Sequence, residues 1–286
     1  MKLLALIPVP FRRTLRLRIK QGQRLLAAAG IVQSEARIST DSQDYWRSPN
    51  PDWWASDSHW RDAPAFDGND LWSEVGRRHS EMIEMVAGVA PSGSGWGRVV
   101  EWGSGGGANA VQIAPRCAEF IGVDVAQDSL DECRRQVEAV CQTPFRPVLI
   151  DVAAPEAALS AIDGPCDVFV SFYVFELLPT PEYGQRILRI AAQLLAPDGH
   201  ALVQIKYDNG TWRTRARRRN YRFGVGDMTT YPIAQFWEMA ADCGLEPQSV
   251  WLRPRDELDE RYAYFHLRKA AARERAELVR DPLLTG

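Results

Sequence analysis

The sequence predicts an α/β fold: a mostly parallel, seven-stranded sheet with helices on both faces and a C-terminal antiparallel hairpin. Three observations lead there. Short β-branched or aromatic runs alternate with amphipathic stretches from residue 98 to residue 205, the pattern of strand–helix–strand crossovers in a parallel sheet. The first run, Val99-Val100, passes through Glu101 into a glycine cluster, Gly103, Gly105, Gly106 and Gly107, which suits a tight turn from a buried strand into a helix, with backbone close to a ligand. After the fifth strand the chain offers one more helix and two strands.

The length of 286 residues allows one large domain with extensions and an ample core. Five scattered cysteines without a C-x-x-C suit reduced thiols and a cytoplasmic location, and speak against disulfides or zinc. Four histidines lack the spacing of paired ligands, so no metal is expected. The net charge of −3 hides an asymmetry: residues 1–34 hold seven basic and no acidic side chains, residues 206–222 seven basic and one acidic. Two basic patches on an acidic body do not describe a general nucleic-acid binder. No apolar run reaches the roughly 18 residues of a membrane span. The apolar start, Leu3 to Val9, precedes its positive charges instead of following them, unlike a signal peptide.

In chain order, residues 11–29 mix basic and apolar side chains. Phe11, Leu15, Ile19 and Leu26 can share a helical face, while R-L-R-L-R alternates like a strand and Gly22 interrupts. This basic arm reads either as a helix on an anionic membrane surface or as a solvated charged face. Residues 41–72 carry five of the ten tryptophans, broken by Pro49, Pro51, Pro64 and Gly68. They read as a lid or substrate segment, or as an apolar cover for the core, with His59-Trp60-Arg61 the densest cluster. Residues 1–70 are therefore set apart from a core domain at 71–268.

That domain opens with a helix through Leu71, Val75, Met82, Met85 and Val86, linked by Pro91 to Gly95 to the first strand. A helix with Ala110, Val111, Ile113 and Ala114 follows the glycine turn. Phe120 to Asp124 is a second strand, with Asp128 and Ser129 able to cap the helix of Leu130, Cys133, Val137 and Val140. Pro147 to Asp151 and Asp167 to Ser171 are the third and fourth strands. A helix through Ile187, Ile190, Ala191, Leu194 and Leu195 closes at Pro197-Asp198-Gly199, before a fifth strand at Ala201 to Ile205. Residues 207–226 break the rhythm with six arginines among Trp212, Tyr221 and Phe223. A helix through Ile233, Phe236 and Ala240 stops at Gly244. Val250 to Leu252 and Tyr262 to Leu267 are the last strands, and 269–286 a charged tail.

The glycine turn fits two patterns. Gly103, Gly105 and Ala108 match G-x-G-x-x-A, a dinucleotide fingerprint. Glu101, Gly103, Gly105 and Gly107 match acidic-x-G-x-G-x-G, and in this stretch the chain resembles the class I S-adenosylmethionine-dependent methyltransferases. Acids end three successive strands (Glu101, Asp124, Asp151), no Tyr-x-x-x-Lys of a short-chain dehydrogenase occurs, and the helix and hairpin follow five alternating strands. The resemblance spans about residues 72–268. It includes V-F-E-L-L-P from Val174 to Pro179, similar to V-x-E-H-L with Leu177 where histidine is frequent, and M-T-T-Y-P from Met228 to Pro232.

The resemblance implies a Rossmann-like, doubly wound domain holding S-adenosylmethionine. Glu101, Gly103, Ser104, Gly105 and Gly107 would surround the methionine part, Asp124 and Val125 the ribose, and Asp151 and Val152 the adenine. Ser171 would lie close by, and Phe172 and Tyr173 would flank the methyl group. Aromatic faces suit a sulfonium, which adds Trp102.

The base candidates are His59, His79, Tyr173 and Glu176, with His59 and Glu176 first. Without N-P-P-Y or D-P-P-Y after the fourth strand, adenine-N6 and glutamine methylation are disfavoured. The leading expectation is O-methylation of a small polar or glycosidic molecule, with Trp60, Tyr173, Trp212 and Arg213 as substrate contacts and the arginines as a clamp for phosphate or carboxylate. The alternatives are a membrane-bound glycolipid reached through the basic arm, RNA, a non-catalytic S-adenosylmethionine-binding scaffold, and an NAD-dependent oxidoreductase. The acidic remainder of the chain makes nucleic acid unlikely as a partner.

Overall fold

In the computed structural model, residues 9–50, 54–88, 95–221, 224–256 and 258–270 are described. The expectations for Leu3, Trp53, the linker at 91–94, Arg222, Phe223 and the tail at 271–286 lie outside them.

Two helices, α1 (Val9–Ala28) and α2 (Glu35–Trp46), precede a run of turns and then α3 (Leu71–Ala87). The alternating part follows: β1 (Arg98–Trp102), α4 (Ala110–Ile113), β2 (Glu119–Asp124), α5 (Gln127–Glu138), β3 (Phe145–Leu149), α6 (Ala158–Ala161), β4 (Cys166–Ser171), α7 (Pro181–Leu194) and β5 (Leu195–Asp208). The chain closes with β6 (Tyr231–Pro232), α8 (Ile233–Asp242), β7 (Leu245–Arg255) and β8 (Glu260–Lys269).

The sheet runs β3-β2-β1-β4-β5-β8-β7, with the short β6 beside β5 off that path. The first five strands pair in parallel, while β8 is antiparallel to both β5 and β7. Val99 pairs with Phe120 on one side and Val168 on the other. Alternation along each strand splits these residues between two apolar layers. Val99, Phe120, Val168 and Leu202 join Val75 and Ile83 of α3 and Ile113 of α4. Val100, Ile121, Phe169 and Val203 join Ile187 of α7 and Phe236 of α8. From β1 the order runs outward to β2 and β3, then returns to β4 on the other side. That reversal opens a crevice at the carboxyl ends of β1 and β4.

The seven-strand path agrees with the expectation, but three elements are longer. β5 extends the expected Ala201–Ile205 in both directions through parallel pairing of Leu195 with β4 and of Tyr207 and Asp208 with β6, and β7 and β8 lengthen because their antiparallel pairing continues past the apolar stretches that announce them. α1 is helical throughout, Gly22 included, where nothing lies within 4 Å of a built Cβ. The region expected to be irregular from residue 41 begins inside α2, where the Ser34 side chain caps the helix by accepting from the Arg37 N–H.

Candidate active site

The glycine turn is fastened from β2. The N–H groups of Gly103 and Ser104 donate to the Val123 carbonyl at 2.7 and 3.2 Å. The Gly105 N–H donates to Asp124 Oδ2 at 2.9 Å, and that of Ala126 to Oδ1 at 3.0 Å. Gly103 and Gly105 hold φ of 79° and 50°, the left-handed region in which a side chain would be strained. Beside the turn lies a concave cavity, lined by apolar and polar side chains as small-molecule sites are. Trp102, Ser104 and Asn109 form one end, Val125, Ile150, Val152 and Leu177 an apolar wall, and Asp124 lies between them.

The roof comes from the N-terminal segment. The Ser58 carbonyl accepts from the Gly106 N–H at 2.7 Å, and the Ser58 and Ser129 hydroxyls meet at 2.8 Å. Arg47 donates to the carbonyls of Val125 and Ile150 at 2.7 and 2.9 Å, and the Val152 N–H donates to Gln43 Oε1 at 3.2 Å. Ser42, Trp46, Asp57, Ser58 and His59 thereby line the cavity from above, joined by Tyr221. The sequence did not single out Ser42, Trp46, Asp57, Ser58 or Tyr221 for the site. Helical spacing of Ile38, Ser42 and Tyr45 could have revealed α2; nothing local places Tyr221, which accepts from Trp46 Nε1 at 2.8 Å.

His59 and Tyr173 close the far end. His59 is half-buried against the Phe66 and Tyr173 rings. Burial pulls its pKa down to about 4, against the opposing pull of Asp256, so the imidazole is neutral at neutral pH. Tyr173 is held on every side. Its N–H donates to Gln204 Oε1 at 2.6 Å, its hydroxyl donates to Asp256 Oδ2 at 2.8 Å, and Arg78 Nη2 donates to that hydroxyl at 2.7 Å. Burial raises the phenol well above its ordinary value. Tyr173 thus stands as a fixed wall of the cavity.

Behind the turn, Asn109 Nδ2 donates to Glu101 Oε1 at 2.6 Å, while Glu101 Oε2 is buried without a partner. Burial pushes the Glu101 carboxyl up to about 8. His79 stacks on Phe172 at 3.9 Å, with Nδ1 2.7 Å from Asn109 Oδ1 and Nε2 3.3 Å from the Tyr264 hydroxyl. With Asn109 Oδ1 accepting, Nδ1 carries the proton. His79 orients Asn109 and does not line the cavity.

The other expected site residues are dispersed. Asp151 is exposed and outside the cavity: its Oδ1 accepts from the Ala153 N–H at 2.8 Å, and Arg47 lies 3.8 Å from its Oδ2. Val152 does line the cavity, but Gln43 already takes its N–H. Gly107 packs toward Cys133 of α5, and the Ser171 hydroxyl donates to the Trp102 carbonyl at 3.2 Å, so both brace the floor. Glu176 is buried away from the cavity, accepting from the Tyr262 hydroxyl at 3.1 Å, and burial raises it to about 7. Trp60 packs edge-on against Trp54. Trp212 is exposed beneath the Arg213 guanidinium and also stands outside the cavity.

The arginine-rich insertion is anchored at Arg217, with Arg213 and Arg215 exposed. Arg217 is fully buried, donating to Gln23 Oε1 at 2.9 Å and to the Gly224 and Gly226 carbonyls. Buried Asp227 meets Arg24 at 2.7 Å, Lys206 at 3.3 Å and Arg261. These cations hold Asp227 well below the usual carboxylate range, outweighing its burial. The two basic stretches of the sequence thus face one another across one carboxylate.

The partnerless Glu101 Oε2, the left-handed glycines, Asp124 and the apolar wall fit a nucleoside-bearing amino acid with a free ammonium group. The fold and crevice define an α/β protein whose ligand lies over the carboxyl ends of β1 and β4. Residues 99–199 match a family model described as "Methyltransferase domain". Residues 99–199 thus carry a methyltransferase domain, and that match with this fold supports a class I, S-adenosylmethionine-dependent enzyme. Similar solved structures include N-methyltransferase NodS from Bradyrhizobium japonicum WM9 in complex with S-adenosyl-L-homocysteine (14% identity, 78% of this chain and 100% of that chain, TM-score 0.55). Magnesium protoporphyrin IX methyltransferase from Synechocystis PCC 6803 matches at 15% identity over 81% of this chain and 99% of that chain (TM-score 0.54). 1,6-Didemethyltoxoflavin-N1-methyltransferase from Burkholderia thailandensis matches at 18% over 72% and 83% (TM-score 0.52). These similarities concern the fold. No curated protein sequence matches the chain.

Proposed function

We propose that the chain methylates a hydroxyl oxygen of a small, uncharged polar or glycosidic molecule, with His59 as the base. The observation that carries this reading is the neutral His59 imidazole, which lines the cavity against the Tyr173 ring. Bound S-adenosylmethionine supplies an electrophilic methyl group on a sulfonium. Glu101 would hold its ammonium, Asp124 its ribose, and Trp102, Phe172 and Tyr173 would offer aromatic faces to the sulfonium. The apolar wall of Val125, Ile150 and Val152 would pack on the adenine. His59 would take the acceptor's hydroxyl proton as the oxygen gains carbon. The Ser58 and Arg47 ties would exclude water and fix the approach.

Among the described residues lining the cavity there is no lysine or arginine, and Asp57 and Asp124 are its charged groups. This favours a neutral acceptor over a phosphate or carboxylate, and speaks against the arginine clamp. On this reading residues 71–268 are the catalytic domain and residues 54–60 with α2 its roof. The test is transfer of labelled methyl from S-adenosylmethionine into fractionated cell extract. Label in neutral small molecules is expected; label only in RNA or protein would overturn the acceptor class. Calorimetry should show S-adenosylhomocysteine binding, and NAD binding without it would overturn the cofactor.

A further inference from the structure

α1 is mounted inside out. Its inward face carries Lys20, Gln23 and Arg24, with Gln23 accepting from buried Arg217 and Arg24 paired to Asp227. Its outward face carries Leu15, Leu25 and Leu26, which are 38, 57 and 41% exposed, and the following turn adds Ile31 and Val32 at 51 and 38%. The spacing obeys one helical phase: 20, 23, 24 and 27 point in, 15, 18, 22, 25 and 26 point out. Five of the eleven exposed large apolar side chains among the described residues fall in this short stretch. A helix stabilised only by its own fold would bury its leucines and expose its charges. Here the Arg24–Asp227 ion pair and the Arg217 hydrogen bond to Gln23 secure the inward side and leave the leucines outward.

We propose that this outward face of α1 docks on an anionic lipid surface. Charge selects the occupant. Arg18 is exposed among the outward leucines; residues 1–34 contain no acidic side chain, and five of their seven basic ones are left once the inward Lys20 and Arg24 are set aside. A second copy of the same face would bring like charges together, whereas acidic headgroups neutralise them while the leucines enter the acyl boundary. The eight residues before α1, M-K-L-L-A-L-I-P, continue the apolar and basic composition in sequence. Among the described residues no helix is long and apolar enough to cross a membrane, so the contact is one of lying on the surface.

The test is flotation of the full chain with vesicles of 70% phosphatidylcholine and 30% phosphatidylglycerol, and with phosphatidylcholine alone. The chain should float with the first and stay down with the second. The double variant Leu25→Asp, Leu26→Asp should lower partitioning about tenfold or more, with S-adenosylhomocysteine affinity unchanged by calorimetry. Arg18→Glu is a second variant expected to act in the same direction. Failure of the wild-type chain to float, or equal flotation of the variants, overturns the proposal. So does a dimer in light scattering that the leucine variant dissolves without any flotation. The calorimetry keeps this outcome separate from the methyltransferase reading, which would fail by absent cofactor binding.

Discussion

The His59 and Tyr173 rings meet edge to face with centroids 5.0 Å apart, and both residues hold a left-handed backbone, at φ 54° and 57°. Non-glycine residues in that region cost about 1–3 kcal/mol each and persist where the surroundings over-determine them. Tyr173 is over-determined by Gln204, Asp256 and Arg78, and His59 by the seating of Ser58 on the glycine turn. The strain falls on the two side chains that close the cavity.

Replacing His59 with alanine should lower kcat by about 10²–10⁴-fold, while S-adenosylhomocysteine affinity measured by calorimetry stays close to wild type. Because burial holds the imidazole at about 4, its base form persists into acid. The pH–rate profile should stay flat down to about pH 5 and fall only near 4. A descending limb centred near 6.5 would show that another group is the base.

The buried carboxyls also set a stability trend. Glu101 and Glu176 sit at about 8 and about 7 in the fold, above their ordinary value. Their stabilising contribution is present at low pH and is lost as pH rises through those values. His59 and His266, both held at about 4, act in the opposite sense: their contribution is lost as pH falls below about 6.5. The two sets oppose one another from pH 4.5 to 6.5, and the carboxyls act alone above it. Urea denaturation should give a lower unfolding free energy at pH 8 than at pH 6.5, and Glu101→Gln should reduce that difference. An unchanged slope in the variant would contradict the assignment.

Gly106 separates a close backbone approach from simple flexibility. A Cβ there would lie 2.7 Å from the His59 carbonyl and the Trp60 Cα, atoms that cannot swing aside. Gly106→Ala should destabilise by about 1–3 kcal/mol and weaken S-adenosylhomocysteine binding, since the roof must lift. Gly22→Ala, in the open interior of α1, should stabilise by about 0.5–1 kcal/mol. Equal thermal midpoints for the two variants would refute the contrast.

Asp227 is the counter-charge for Arg24, Lys206 and Arg261 inside the fold. Asp227→Asn leaves Arg24 without its carboxylate, while Lys206 keeps Asp259 and Arg261 keeps Glu260, and should cost about 3 kcal/mol in chemical denaturation. Arg37→Ala, which breaks an exposed pair with Asp41 on α2, should leave the midpoint unchanged within error. A small effect at Asp227 would mean that water already solvates the cluster.

The alternation of strands and helices along the chain, the glycine turn and the Asp124 position were legible in the sequence because they depend on local signals. Buried β-branched runs, left-handed glycines and strand-end acids are written within a few residues of one another. Phe172, Tyr173 and His59, singled out from the sequence, line the cavity. Asp151 carried the same strand-end mark, yet the fold turned it toward Arg47 and solvent, and Glu176, in the turn after β4, faces Tyr262. A strand-end carboxylate does not announce which way it faces; partners far along the chain decide that.

By itself, then, the sequence determined that a parallel α/β sheet would present a glycine turn and an acid at its carboxyl edge, since backbone conformation and burial period are local properties. The tertiary structure alone decided what covers that edge and where the arginines go. Ser58 reaches Gly106, Gln43 reaches Val152 and Arg24 reaches Asp227 only after distant segments pack, and the closeness that gives these pairs their energy has no counterpart along the chain.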